Sequence, residues 1–416
     1  MTGPRLDRAA PEAALRGSPL HPARSTGRVM PRFPRSAPHA EGLADPGLAR
    51  LVARAVARAG GAIPLHVGDT YLEPLAAARA EAQQSSEHPR LHNYSPVQGE
   101  PELLDAIVAK VERRSGVTLA RDCVQVMPGA TAGFGVICAA LLAPGDEVLL
   151  PAPLWPLMRG AIKLRGAVPV EVPFFTELDR PDFDPIAALE RACTPRTVAI
   201  YLNSPHNPTG RVLPDPLIAQ LSAFALRHDL WVWTDEVYED LWFTTPTPSI
   251  WARPELRART IASHSVSKAY ALAGARVGFS HGPREIMAVI RGVQTFYSYC
   301  APRPMQLGAA RALREGEAWL ADARDRYARA GALAARALGV RAPEGGTFLF
   351  FDLERHLRPG EAPLRFLERC VDAGVTLMPG SAAGHAFDRW ARLCFTTVPE
   401  PELVLALERL RPLLAR

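Results

Sequence analysis

The sequence predicts an α/β fold. A large domain with a mostly parallel mixed sheet, sandwiched by helices, precedes a smaller α+β domain at the C-terminus. Strand-like and helix-like segments alternate through the middle of the chain, which is typical of β-α-β units and therefore of parallel strands. A long Ala- and Arg-rich helical pattern over residues 305–338 then separates this region from a last segment with a different rhythm.

The strands of the large domain are short apolar runs bounded by turn residues. They are predicted at Cys123–Met127, Glu147–Leu150, Val168–Val172, Val198–Leu202, Leu230–Thr234 and Thr260–His264. Helical patterns follow most of them, at 131–143, after Trp155, at 185–192 and at 215–227. Because parallel strands end at one edge of the sheet, we expect functional residues directly after these strands.

The last segment predicts a smaller unit. Its strands are expected at 347–352, 376–378 and 392–395, and its helices at 364–373 and 402–414. The chain is therefore divided into a flexible Arg- and Pro-rich arm (1–40), a large domain (41–300) and a connecting helix with the small domain (301–416). The first ~50 residues of the large domain are expected to join the small domain in part.

Composition excludes several classes of protein. The chain has 416 residues and is 48% hydrophobic, which supports a sizeable core and excludes a mainly disordered protein. Its net charge of +5 equals the charge of residues 1–36, so the remaining residues balance and exert no net attraction on nucleic acid. The longest apolar run, 134–143, is too short for a membrane span.

The six cysteines are scattered, without the spacing of a metal site, so we expect reduced thiols and no bound metal. The first 30 residues lack the apolar stretch of a secretory signal. Together these features predict a cytoplasmic protein.

Lysine is scarce, which limits the residues that can supply a reactive amine. Among 48 basic residues only Lys110, Lys163 and Lys268 are lysine. Arginine stays protonated and cannot serve as a nucleophilic amine, so amine chemistry must use one of these three. Lys268 ends the stretch Ser263–Lys268, which follows a predicted strand. A lysine in this position, flanked by hydroxyls, can form a Schiff base with an aldehyde cofactor. A surface lysine in a polar loop is the alternative.

Two polar stretches follow neighbouring strands. Asn203–Gly210 makes a rigid turn that can aim the Asn207 amide into a site, although an ordinary Pro-Gly turn has the same composition. Asp235 ends the next strand, with Tyr238 three residues on. A buried carboxylate there needs a cationic partner, whereas a helix N-cap aspartate would not.

A third stretch favours phosphate binding. Pro128–Thr131 lies between a strand and a helix, where backbone amides and a hydroxyl bind phosphate well. Ser265 and Arg276 can reach the same group. Neither GxGxxG nor GxxxxGK[ST] is present at this turn, so neither a dinucleotide site nor a P-loop is supported there.

The combined motifs resemble those of the class I and II, fold-type I, pyridoxal-phosphate aminotransferases. The motifs are Asn207–Gly210, Asp235–Tyr238, Ser265–Lys268 and the following Arg276. The resemblance covers roughly residues 60–412, and the motifs stand in the family's order. It implies a fold-type I transferase, the cofactor pyridoxal 5'-phosphate, and a homodimer.

The resemblance also implies roles for single residues. Lys268 would form the aldimine with the cofactor and then move the substrate's α-proton. Asp235 would keep the pyridine nitrogen protonated. Asn207 and Tyr238 would bind the phenolic oxygen, with Asn207 also close to the substrate. Trp155 would stack on the ring, although a core tryptophan is the alternative.

Further implied roles concern the phosphate and the substrate. Tyr94 would reach the phosphate of the neighbouring subunit's site. Arg392 would bind the substrate α-carboxylate through two hydrogen bonds, and Gly68 would leave space beside it. The phosphate would be held by Ala130, Thr131, Ser265 and Arg276.

The chain departs from the usual family pattern at Leu154, Ala275 and Ala383, so substrate preference does not carry over from any one relative. No second arginine is placed for a distal carboxylate, which favours a hydrophobic or aromatic amino acid over aspartate.

The leading hypothesis is a ping-pong transaminase acting on an L-amino acid and a 2-oxo acid. The same cofactor site also supports elimination, cyclisation or oxidation of an amino acid. A third hypothesis, a pyridoxal-phosphate-binding regulator of transcription, is invited by the basic residues 1–36. That segment is too short and too rich in proline for a DNA-binding head.

Overall fold

The computed structural model describes residues 37–43 and 45–414. Its large sheet has seven strands in the order β1-β7-β6-β5-β4-β2-β3. The strand β7 runs antiparallel to both neighbours, and the other strands are parallel. The strands are β1 (Val124–Met127), β2 (Glu147–Ala152), β3 (Val168–Pro173), β4 (Thr197–Asn203), β5 (Trp231–Asp235), β6 (Thr260–Ser265) and β7 (Gly278–His281).

The prediction of a mostly parallel sheet with helices on both faces is confirmed, and six strands lie where they were expected. The seventh strand, β7, was not predicted. It is a four-residue run, Gly-Phe-Ser-His, that is buried throughout and has neither apolar alternation nor a continuous apolar stretch. Its pairing with β1 and β6 supplies the stability that its composition does not signal.

Many of the helices begin with proline in the first turn, where the missing N–H is not needed. The helices are α1 (Pro46–Ala57), α2 (Ala76–Glu81), α3 (Pro101–Ser115), α4 (Ala130–Leu141), α5 (Pro156–Lys163), α6 (Pro185–Ala192), α7 (Asp215–Arg227), α8 (Val266–Ala269), α9 (Arg284–Tyr297), α10 (Arg303–Glu315), α11 (Glu317–Leu338), α12 (Pro363–Asp372) and α13 (Glu400–Leu414).

The single long helix predicted over 305–338 is wrong, because α10 and α11 are separate helices that meet at Gly316. A Cβ at this position would lie 2.4 Å from the Ala312 carbonyl oxygen and 3.1 Å from the Tyr270 ring. Glycine also has a low helix propensity. The periodic apolar pattern continues through the break, so periodicity alone did not reveal it.

The side chains of β4 show how the sheet is buried on both faces. Ala199 and Tyr201 pack in an apolar cluster with α4 and α5, whereas Ile200 and Leu202 pack in another cluster with α6 and α7. Alternate residues of a strand point to opposite faces, so a strand covered on both sides is apolar throughout.

A small antiparallel sheet lies beyond α11, where a smaller α+β unit was predicted. Its order is β8-β10-β9, with β8 (Phe348–Asp352), β9 (Met378–Pro379) and β10 (Trp390–Cys394). One continuous apolar cluster joins it to α3 and α11. The domain boundary near residue 300 therefore stays a prediction, and the predicted arm (1–40) falls almost entirely outside the described residues.

No helix within residues 37–43 and 45–414 is long and apolar enough to cross a membrane.

A group of buried charges joins α3 to the residues that follow β5. Arg114 on α3 donates to Glu236 at 2.9 Å, to Glu239, and to the Thr247 carbonyl at 3.0 Å. Lys110, one turn earlier, pairs with Glu239 at 3.2 Å and with Asp240 at 2.5 Å. These contacts attach α3 to the segment that follows β5. Lys110 is thereby committed to ion pairs.

We expect Arg114→Met to lower the free energy of unfolding by about 3 kcal/mol, because it leaves the buried Glu236 without its cation and the buried Glu239 with Lys110 alone. Denaturant titration followed by circular dichroism would measure this. The matched control is Arg121→Met, whose pair with Asp105 is exposed and should contribute less than about 1 kcal/mol. Equal shifts in the two variants would contradict the assignment.

Candidate active site

A pocket of about 240 Å³ opens where the strands β1, β2, β4, β5 and β6 end. All the predicted site residues except Tyr94 line it. Its lining residues are Gly68, Ala130, Thr131, Trp155, Leu157, Asn207, Asp235, Val237, Tyr238, Ser265, Ser267, Lys268, Ala273, Arg276, Phe348 and Arg392. The expectation that function lies at the carboxyl edge of the sheet agrees with this arrangement.

Lys268 is the only lysine among the described residues that line the pocket. It stands in the short helix α8, directly after β6, and its Nζ donates to the Gly68 carbonyl oxygen. Burial is the main cause that lowers the Lys268 pKa, and the positive charges of Arg392 and Arg276 lower it further. A lysine in this setting holds its proton less tightly than an exposed one, which favours an amine that can act as nucleophile or base.

Asp235 ends β5 and is buried at the base of the pocket. Tyr201 on β4 donates its hydroxyl to Asp235 Oδ2 at 2.5 Å, and the Val237 amide lies 3.3 Å from Oδ1. Burial raises the Asp235 pKa to about 6, and the Tyr201 hydrogen bond opposes this shift. No cation pairs with Asp235 in the part of the chain that the structure describes. A buried carboxylate in this state fits a ligand that brings a positive charge.

The turn after β4 carries Asn207, and Asn203 holds it in place. Asn203 Nδ2 donates to the Asp235 carbonyl at 2.8 Å, while its Oδ1 accepts from the Asn207 amide at 2.7 Å. Asn207 Nδ2 in turn lies 3.4 Å from the Tyr238 hydroxyl. The amide and the phenol therefore stand side by side in the pocket lining, where both can donate to a ligand. Burial raises the Tyr238 pKa, so the phenol keeps its proton.

Trp155 follows β2 and precedes α5. Its ring is half-buried and packs at a tilt on Phe134, with 6.2 Å between the ring centroids. The tryptophan is thus anchored by α4 on one side and lines the pocket with the other. A flat ring in this position can cover the face of an aromatic ligand.

The N-terminus of α4 and Arg276 form a site suited to an anion. Gly129 precedes α4 with φ +83°, and a Cβ there would lie 2.3 Å from an Arg276 guanidinium nitrogen. The glycine therefore lets the guanidinium approach the first turn. The Ser265 hydroxyl, at the end of β6, contacts Ser267 Oγ at 2.8 Å on the same wall. Backbone amides, hydroxyls and a guanidinium are the donors that phosphate prefers.

Arg392 reaches the pocket from the small sheet. Its guanidinium donates to Asn207 Oδ1 at 3.1 Å and to the His66 carbonyl at 2.8 Å, and it lies 4.1 Å over the Phe348 ring. The residue is buried, its Nε has no partner, and no carboxylate pairs with it among the described residues. Burial lowers its pKa. A buried guanidinium with neutral acceptors fits a carboxylate ligand.

Gly68 lies beside this guanidinium. A Cβ at Gly68 would meet the Phe348 ring at 2.9 Å, so a larger residue would push into the aromatic floor of the pocket. The prediction that this position must stay open agrees with the geometry.

Tyr94 lies outside the pocket and is 82% exposed. It contacts Tyr299 edge to face, with 5.0 Å between the centroids. Its predicted role in a neighbouring subunit's site stays a prediction.

Sequence reasoning missed Tyr201, the structural role of Asn203, and the contribution of Phe348 to the pocket wall. Tyr201 looked like any apolar residue of a buried strand. Its place, two residues before Asn203 on one face of β4, was the available signal. Of the departures from the family pattern, Leu154 and Ala383 are joined by a hydrogen bond from the Leu154 amide to the Ala383 carbonyl at 2.8 Å.

Comparison with known proteins gives a consistent result. Residues 61–410 match the family model of aminotransferase class I and II. The aspartate/prephenate aminotransferase of Thermus thermophilus is 33% identical over 355 residues, which cover 82% of this chain and 86% of that protein. The aromatic-amino-acid aminotransferase 2 of Thermococcus litoralis is 30% identical and aligns with 85% of this chain and 92% of its own.

Solved structures agree. The crystal structure of the aspartate aminotransferase from Rhizobium meliloti superposes with a TM-score of 0.84 at 28% identity, and the match covers 92% of this chain and all of that chain. The predicted fold-type I architecture is confirmed by such neighbours. The chain therefore belongs to the class I and II aminotransferase family, and it is an enzyme of the transaminase type.

Proposed function

We propose that this transaminase moves an amino group between an L-amino acid and a 2-oxo acid, with pyridoxal 5'-phosphate as its cofactor. One observation carries the proposal. A buried anion, Asp235, and a buried cation, Arg392, line one pocket without counter-ions among the described residues. An amine, Lys268, stands in the same pocket. Each charge needs a ligand of opposite sign.

The residues fit this cofactor by their chemistry. Asp235 suits a protonated ring nitrogen, Asn207 and Tyr238 suit a ring oxygen, and the start of α4 with Arg276 suits a phosphate. Trp155 supplies an aromatic face. When bound, pyridoxal 5'-phosphate supplies an aldehyde that takes up the amino group and a ring that accepts electrons when the α-proton leaves.

Lys268 is the residue proposed to move the proton. Its lowered pKa leaves a larger neutral fraction than an exposed lysine has, so its Nζ can accept the α-proton and return it to a neighbouring carbon. The Lys268 Nζ donates one hydrogen bond, to the Gly68 carbonyl oxygen. The long side chain has several rotatable bonds, so the Nζ can move between neighbouring carbon atoms of a bound ligand.

Arg392 is proposed to bind the substrate's α-carboxylate. Its Nε is free of partners, and its two amino groups make hydrogen bonds to neutral acceptors that a carboxylate can replace. Binding of the carboxylate would fix the substrate's Cα beside Lys268. The orientation of the bond to be broken then follows from this fixed attachment.

The remaining wall favours a hydrophobic or aromatic side chain. Three of the lining residues are apolar, namely Leu157, Trp155 and Phe348. The cations among the described lining residues already have proposed tasks: Arg276 binds the phosphate, Arg392 binds the carboxylate, and Lys268 transfers the proton. Some relatives are named for aspartate and others for aromatic amino acids, so their names do not decide the substrate.

We also propose a cytoplasmic homodimer. The six cysteines are all unpaired, which is typical of a reducing compartment. Tyr94 contacts the exposed Tyr299, and Phe296 and Tyr297, just before Tyr299 in the sequence, are exposed as well. Exposed aromatic side chains of this kind favour burial against another chain.

The function is tested with a single half-reaction. We expect phenylalanine or leucine, added to the cofactor-loaded enzyme without an acceptor, to convert the bound cofactor once to its pyridoxamine form and then stop. Absorbance spectroscopy and quantification of the oxo acid would measure this. Continuous release of ammonia would instead support an eliminating enzyme and would contradict transamination.

We expect borohydride reduction of the loaded protein to label Lys268 alone, because Lys110 is held by carboxylates and Lys163 lies on α5 away from the pocket lining. Peptide mapping by mass spectrometry identifies the label. Lys268→Ala should lower kcat by at least about 10³-fold, whereas the control Lys163→Ala should not. A label on another lysine would refute the assignment.

Intersubunit complementation tests the dimer. Tyr94→Ala and Lys268→Ala should each be nearly inactive alone. Mixing equal amounts under exchange conditions should restore about a quarter of wild-type activity, since half of the dimers would contain one intact site. No restoration, with exchange verified by mass spectrometry, would place Tyr94 in its own subunit's site or outside any site.

A further inference from the structure

The hydroxyl of Tyr201 is the closest partner of Asp235 that the structure describes. The register of β4 and β5 places Asn203 opposite Asp235, and Tyr201 lies two residues earlier on the same face of β4. Tyr201 is 2% exposed and donates to Asp235 Oδ2 at 2.5 Å. Asp235 Oδ1 is left with the more distant Val237 amide at 3.3 Å.

Packing fixes the Tyr201 ring. Phe134 on α4, which is fully buried, meets it edge to face at 5.5 Å and an interplanar angle of 77°. Phe134 also packs on Trp155, at 6.2 Å. The hydroxyl therefore cannot turn away from Asp235 without disturbing the helix that begins the proposed phosphate site.

We propose that Tyr201 is a positioning residue for the cofactor: its hydroxyl holds one oxygen of Asp235 and keeps that carboxylate ionised, which leaves the other oxygen to bind the ring nitrogen. The inference rests on the proposed function, because it assigns Tyr201 a task toward the same cofactor. Tyr201 acts through Asp235 and touches no reacting atom.

The surroundings of Asp235 explain why a neutral donor is needed. The titratable groups near it are Glu236 and Tyr238 on its own segment, His264 on β6, and Tyr201. His264 has a pKa lowered to about 4 by burial, so it is uncharged near neutral pH and supplies no positive charge. Burial and the nearby Asp235 raise the pKa of Tyr201, which therefore remains a donor throughout the working range.

The test uses Tyr201→Phe, which keeps the ring and removes only the hydroxyl. The probe is pyridoxamine 5'-phosphate, whose binding needs no bond to Lys268, titrated into the cofactor-free protein. We expect binding roughly ten- to a hundredfold weaker at pH 7.5, the effect of removing a hydrogen bond to a charged group. Removal of this bond raises the Asp235 pKa, so binding should be lost at a pH about one unit higher than in wild type as pH falls.

A double-mutant cycle distinguishes positioning from a general loss of packing. If Tyr201 acts through Asp235, Tyr201→Phe should have little further effect on binding in an Asp235→Ala background. The matched control is Tyr327→Phe, which removes a buried hydroxyl on α11 and should leave binding and its pH profile unchanged.

The outcomes separate this inference from the function on which it rests. Wild-type-like binding and pH profile in Tyr201→Phe would overturn the inference, as would an equal loss in the Asp235→Ala background or in Tyr327→Phe. If wild-type protein fails to bind pyridoxamine 5'-phosphate at millimolar concentration, that result contradicts the proposed function and, with it, this inference.

Discussion

The shared carboxyl edge of the parallel strands is the constraint on which the site depends. The strands β2, β4, β5 and β6 run in one direction, so the segments that follow them meet at one place although they are far apart in sequence. Trp155, Asn207, Tyr238 and Lys268 each follow one of these strands. Because the strands are buried on both faces, the sheet is rigid, and short connections suffice to hold the side chains.

The protein keeps opposite charges buried in this pocket at a cost in stability. An isolated buried carboxylate or guanidinium is unfavourable, and the fold offsets this only in part, with Tyr201 on Asp235 and with Asn207 and a backbone carbonyl on Arg392. The other buried charges close to the site, around Arg114 and Lys110, are paired with one another. This contrast separates the charges that pair within the fold from the charges that we propose to bind a ligand.

Much of this could be predicted from the sequence, because the signal was local. Apolar runs marked six strands of the large sheet, and the polar residues after them marked the pocket. The features that the sequence did not predict depend on contacts between distant segments. The strand β7 is stabilised by its two neighbours, and Gly316, where the helix breaks, lies against the ring of Tyr270, a residue distant in sequence. In the sequence, Tyr201 cannot be distinguished from its apolar neighbours on β4. Only the pairing of β4 with β5 places its hydroxyl beside Asp235. Contacts between distant segments carry this information, and a single sequence does not display them.

The division of the site between two sheets explains why the family is easy to recognise and the substrate is not. The large sheet carries the groups proposed for the cofactor, and the small sheet carries Arg392, proposed for the carboxylate that every amino acid has. These residues bind what all substrates share, so their motifs identify the chemistry alone. Selection among side chains must come from the other lining residues, among which Leu157 and Phe348 are apolar. Leu154 and Ala383, where the chain departs from the family pattern, are buried, are joined by a backbone hydrogen bond and do not line the pocket, so any effect they have on substrate choice acts through the residues that do.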